Sequence, residues 1–82
     1  MNEKDLIAAI SQGDRKAFES FYESTSGLVY NTSLSYVHNT TDAEEETQQV
    51  YIKVFKYIQN FKGDSALKTW LYRIAINTSL DF

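Results

Sequence analysis

Eighty-two residues, 43% hydrophobic and 15% aromatic, provide for one small core and leave no room for a large internal cavity. Without cysteine there is no disulfide, thiol nucleophile or cysteine-ligated zinc, and with no proline and only 3 glycines the chain reads as helices joined by short turns. No apolar run reaches the roughly 20 residues of a membrane span, and the acidic start MNEKDLIAAISQGD lacks the basic opening of a signal peptide, so a cytoplasmic protein without membrane insertion is expected.

The net charge of −3 argues against indiscriminate binding to nucleic acid, but it is unevenly spread. Residues 1–46 hold Lys4, Arg15 and Lys16 against nine acidic side chains, a net −6; residues 47–82 hold Lys53, Lys56, Lys62, Lys68 and Arg73 against Asp64 and Asp81, a net +3. The front half suits a basic protein partner and the back half suits phosphates.

The first element is a short helix over about Lys4 to Gln12, with Leu6, Ile7 and Ile10 on one side and Gly13 as its stop. Asp14 then reads as the N-cap of a second helix, about Arg15 to His38, whose core face is Phe18, Phe21, Tyr22, Val29, Thr32 and Tyr36. Ser24 to Gly27 is a weak spot where that helix is expected to kink, and His38 reads as its C-terminal cap rather than an acid or base. Thr41 followed by Glu44 has capping-box spacing and opens a third helix, about Asp42 to Asn60, with an inner stripe of Ala43, Thr47, Val50, Tyr51, Val54, Phe55 and Ile58. The polar turn Lys62-Gly63-Asp64-Ser65 follows, with Asp64 or Ser65 available as a cap. A fourth helix from about Ala66 buries Leu67, Trp70, Leu71, Ile74 and Ala75. No internal repeat appears, and the expected fold is all-α, a compact bundle of four helices.

Some residues do not fit a simple core. Ile52 falls on the outer side of the third helix among Glu45, Gln48, Gln49 and Lys56, an apolar spot ringed by polar groups as in a protein contact patch. On the fourth helix Tyr72, Ile76 and Leu80 lie one turn apart, away from Leu67, Leu71 and Ile74, and are expected to pack against a neighbouring helix. Thr69, Arg73 and Asn77 stand at i, i+4 and i+8 as a polar ridge suited to phosphates and base edges. Catalysis finds no support: Glu44, Glu45 and Glu46 point in different directions on a helix, and no phosphate-cradling glycine loop or Ser/His/Asp set is present. Neither an enzyme nor a cofactor or metal site is expected.

The stretch DAEEETQQVYIKVFKYIQNFKGDSALKTWLYRIAINTSLDF, and less specifically QGDRKAFESFYE before it, resembles region 2 of the extracytoplasmic-function (ECF) sigma factors, promoter-recognition subunits of bacterial RNA polymerase. TWLYRIAIN after the KGDS turn is the most specific part. The resemblance implies that the third helix docks on the clamp helices of the polymerase β′ subunit through Glu45, Gln48, Gln49, Ile52, Lys53 and Lys56. It also implies that the turn at Phe61, Lys62, Gly63, Asp64 and Ser65 captures a base flipped from the non-template strand of the −10 promoter element. Lys68, Thr69, Arg73 and Asn77 would then contact the DNA, with the lysines and the arginine positioning phosphates. An anti-sigma factor is the further partner the family implies. Many relatives have a basic residue at the position of Ile76, Leu at that of Glu46 and an acid at that of Gln49. The family's second domain, which reads the −35 element, is absent from these residues, and the chain reads as ending at a fragment boundary. The acidic net charge and Ile76 motivate one alternative, a sigma-like mimic that binds an anti-sigma factor without binding DNA.

Overall fold

The computed structural model describes residues 2–61, 63 and 65–81. The described residues form four α-helices: α1 (Glu3–Ser11), α2 (Arg15–Val37), α3 (Thr40–Tyr57), which tightens into a 3₁₀ turn at Ile58–Asn60, and α4 (Leu67–Asp81). No strand occurs among the described residues.

Local chemistry accounts for most of the boundaries. At the end of α1, Gly13 adopts φ 85°, the left-handed conformation that glycine takes without steric cost. Its N–H donates to the Ile10 carbonyl at 3.0 Å, and that of Asp14 to the Ala9 carbonyl at 2.9 Å. The Asp14 carboxylate then accepts from the Ala17 N–H at 3.1 Å to start α2, a cap worth about 1 kcal/mol. His38 closes α2 with φ 59°, its N–H donating to the Leu34 carbonyl at 2.8 Å. The segment Ser24–Gly27 does not break α2, which is helical throughout; Ser24 and Thr25 turn their hydroxyls back to the Phe21 carbonyl.

The start of α3 differs from expectation. Asn39, not Thr41, is the cap: its side-chain oxygen accepts from the Asp42 N–H at 3.0 Å. Asparagine is at least as good an N-cap as threonine, and starting there takes Thr40 and Thr41 into the first turn.

Helices α2, α3 and α4 pack on one another, while α1 lies across α2 and the 3₁₀ turn. Ile10, Phe21, Val29, Val50, Val54, Ile58, Leu67, Leu71 and Ala75 are buried at the junction. The stripe that α3 presents to this core is turned relative to the one expected. Glu46 is completely buried, whereas Phe55 remains 57% exposed. At about 100° per residue, Glu46 lies only some 40° from Val50 and Phe55 about 140° from it on the other side, so a rotation of roughly 40° brings in the one and turns out the other.

Tyr51 ties α3 to α2. The Thr25 hydroxyl donates its one proton to the Phe21 carbonyl at 2.6 Å, so its oxygen accepts from the Tyr51 phenol, also at 2.6 Å. Burial raises the Tyr51 phenol above its ordinary value of 10.0. The unfolded chain therefore loses this proton first: the contribution to stability is intact below about pH 10 and declines as pH rises toward the folded value. Urea midpoints compared at pH 8 and 10.5 should show that decline, and Tyr51→Phe should reduce it.

Candidate functional site

The connection from Phe61 to Ala66 is framed by two aromatic rings. Phe61 is half-buried, its ring centroid 5.4 Å from that of Trp70 with the planes inclined by 46°. Both pack against the core, so the start of the connection has a rigid wall. Gly63 has φ 75°, a conformation that L side chains rarely adopt, and nothing lies within 4 Å of where a Cβ would stand. The backbone there is open to close approach from outside. Ser65 is half-buried, and Lys62 and Asp64, which the sequence reading includes in this turn, lie outside the described residues. A cleft of about 480 Å³ is lined by Phe61, Gly63 and, from α1, Glu3, Lys4 and Ile7.

The first N–H of α4 has an unexpected partner. Leu67 donates to Glu3 Oε1 at 2.8 Å, across 64 positions of sequence; Asp64, one of the two caps the sequence suggests, lies outside the described residues.

Lys68, Thr69, Arg73 and Asn77 are all exposed on α4, as the ridge requires. Tyr72 and Leu80 do not pack against a neighbouring helix as expected: they are 45% and 68% exposed. Helices α2 and α3 cover the side bearing Leu67, Leu71 and Ala75, leaving Tyr72 and Leu80 outside; Ile76 is half-buried. Tyr72 instead shares a shallow cleft of about 260 Å³ with Leu28, Lys68 and Thr69. An aromatic face thus stands beside the basic ridge.

On α3, Glu45, Gln48, Gln49 and Lys56 are exposed, and Ile52 is 59% exposed. Lys53 is half-buried and donates to the Thr78 hydroxyl at 3.0 Å, which leaves its other ammonium protons free to serve a partner. The Lys56 ammonium lies 5.3 Å from the centroid of the Tyr57 ring. The apolar part of this surface is larger than Ile52 alone. An open groove of about 400 Å³ runs between α2 and α3, lined by Phe18, Tyr22, Gln48, Tyr51, Ile52 and Phe55. Its aromatic members are stacked edge to face, with centroids 5.6 Å apart for Phe18 and Phe55 and 4.7 Å for Tyr22 and Tyr51. Sequence reasoning placed Phe18, Tyr22 and Phe55 in the core, because their helical spacing is that of the core residues.

Residues 21–82 match the family model of Sigma-70 region 2. The chain belongs to the sigma-70 region 2 family. Among curated relatives, this region 2 chain is 35% identical over 77 residues to the RNA polymerase sigma-H factor of Pseudomonas aeruginosa, covering 94% of this chain and 40% of that protein. It is 34% identical over 82 residues to the ECF RNA polymerase sigma-E factor of Haemophilus influenzae, covering 100% of this chain and 43% of that one. For the sigma-E factor of Escherichia coli K12 the identity is 33%, over 100% and 42%. The chain thus spans about two fifths of the length of these relatives. Its fold also matches an NMR structure of an engineered region 2 of sigmaE in complex with GTAAAA, with a TM-score of 0.85, 29% identity, and coverage of 99% of this chain and 88% of that one. Among the described residues no helix is long and apolar enough to cross a membrane.

Proposed function

We propose that this region 2 chain is a non-enzymatic transcription-initiation module of the cytoplasm. Through α3 it docks on the β′ clamp helices of RNA polymerase, and at the connection 61–66 it captures a base flipped from the non-template strand of the −10 element. The observation that carries the reading is the backbone match to a region 2 in complex with GTAAAA.

The site's chemistry supports it. Extruding a base costs a few kcal/mol of pairing and stacking, and an aromatic contact returns roughly 1–3 kcal/mol per base. Phe61, braced by Trp70, and the exposed Tyr72 ring offer such contacts. The open backbone at Gly63 and the hydroxyl of Ser65 offer polar groups for a base edge. Lys68 and Arg73 hold phosphates, Thr69 and Asn77 complete the ridge, and Lys62 and Asp64 belong to the same reading by their place in the sequence. On the other side, the polar ring of Glu45, Gln48, Gln49, Lys53 and Lys56 orients a charged helical partner, and Ile52 with the groove beside it supplies desolvated contact. An anti-sigma factor is proposed as the competitor for these surfaces, and the 82 residues form a single region 2 domain.

Fluorescence anisotropy on a single strand containing GTAAAA, with a β′ clamp-helix fragment present, tests the two surfaces separately. Ile52→Arg should weaken the fragment about tenfold, a loss of about 1.4 kcal/mol, and leave strand affinity in the preformed complex unchanged. Lys68→Ala with Arg73→Ala should weaken the strand by a similar factor and lower the slope of log affinity on log salt by about 1 to 2. If the chain binds no strand even with the fragment supplied, the reading fails, and capture by an anti-sigma factor under those conditions would favour a mimic.

A further inference from the structure

We propose that α1 is a working part of the strand-capture site: Glu3 acts as a positioning residue that caps α4 and so fixes the start of α4 against α1, beside the cleft that Phe61 and Gly63 line. The inference rests on the function proposed above but concerns a segment outside it, since the family match begins at residue 21 and α1 ends at Ser11.

Four observations converge on Glu3. The first backbone N–H groups of a helix have no partner within it and are usually served by the side chain just before the first turn. In α4 that position is Ala66, which has no acceptor to offer. The partner comes from α1 instead, where Glu3 Oε1 lies 2.8 Å from the Leu67 nitrogen; a carboxylate is well placed there, because the helix dipole makes this end electropositive. Finally, α1 is not free to drift. Leu6, Ile7 and Ile10 pack into the core, and Asn2 caps α1 itself by accepting from the Asp5 N–H at 2.8 Å.

The geometric consequence is a two-sided cleft. Phe61 and Gly63 form one side, and Glu3, Lys4 and Ile7 form the other. The bond between Glu3 and Leu67 ties α1 to the start of α4. It therefore holds the far end of the connection at a set distance from α1, while the Phe61–Trp70 contact holds the near end. A base entering beside Gly63 meets a wall of α1, and Lys4 brings a cation to that wall. With the bond cut, the ridge on α4 and the outer face of α3 keep their side chains, but the end of the connection nearest Leu67 is no longer pinned.

The test uses the whole 82-residue chain and the variants Glu3→Ala and Glu3→Gln, with three readouts: the Leu67 amide by NMR, the ratio of affinities for a GTAAAA strand over a scrambled strand of equal length, and clamp-fragment affinity. Glu3→Ala should shift the Leu67 amide, speed its hydrogen exchange, and lower the strand ratio about fivefold, equivalent to about 1 kcal/mol of lost capping. Clamp-fragment affinity should not change. Glu3→Gln, whose amide oxygen still accepts an N–H, should restore most of the strand ratio. An unchanged ratio in Glu3→Ala, or equal shifts in affinity for both strands, would overturn the role of Glu3 and leave the proposed function standing. Absence of any strand preference in the unmodified chain with the clamp fragment supplied would overturn both.

Discussion

Leu71→Ala is expected to destabilise the domain by about 2–5 kcal/mol. Leu71 is completely buried at the middle of the inner face of α4, where that helix meets both α2 and α3. Removing its branched end takes apolar surface out of the core and leaves a cavity that three helices must share, and helices held from both sides collapse into such a space only in part. An 82-residue domain has a total stability of about 4–12 kcal/mol, so this one change consumes a large share of it. The effect on function should follow, because α4 carries Lys68, Thr69, Arg73 and Asn77 on its outer side. Chemical denaturation followed by circular dichroism measures the loss; one below about 1 kcal/mol would mean that the site repacks and that α4 is less tightly held than its burial indicates.

Glu46→Leu should act in the opposite direction, raising stability by about 1–3 kcal/mol. Glu46 is completely buried on α3, and neither of its carboxyl oxygens has a hydrogen-bond partner among the described residues. A buried polar group without a partner costs its full desolvation, and leucine of similar volume replaces that cost with apolar contact to the same neighbours. Glu46→Gln separates the contributions: it removes the ionisable group but keeps two polar ends in the same apolar setting, so its gain should be the smaller of the two. Thermal melts of the three proteins side by side should give the order Leu, Gln, Glu from most to least stable. A destabilised Glu46→Leu would mean that the carboxyl group has a compensating interaction in solution. Gln48 and Ile52 lie about 160° and 120° round α3 from Glu46, and Glu46 itself is buried, so clamp-fragment binding should be insensitive to this change.

Glu46 also marks the point at which reading the sequence falls short. Its spacing from Ala43 and Val50 is that of a core residue, but a glutamate that ends a run of three reads as solvated because charged side chains are rarely buried. The expected stripe therefore left Glu46 out, and the rotation of α3 brings it in. Phe55 is the converse, an aromatic residue at the edge of the stripe for which hydrophobicity favoured burial while the rotation of α3 left it facing the groove with Ile52. Phe18 and Tyr22 fall between, since they pack on Tyr51 with one side and line the same groove with the other. The ridge of Thr69, Arg73 and Asn77 was legible outright, because polar residues at i, i+4 and i+8 on an amphipathic helix have only the solvent side to occupy. The exposure of Tyr72 and Leu80 was not, since the pattern cannot say whether a second neighbour covers the far side of α4.

Sequence alone determined the number of helices, the stop at Gly13, the caps at Asp14 and His38 and the outward direction of Ile52, because each depends on backbone and side-chain groups within about one helical turn of one another. Tertiary structure alone decided the rotation of α3 that buries Glu46 and bares Phe55, the groove shared by α2 and α3, and the bond from Glu3 to Leu67. Those features depend on which surface another helix happens to cover, and two residues 64 positions apart leave no local pattern to announce that one will cap the other.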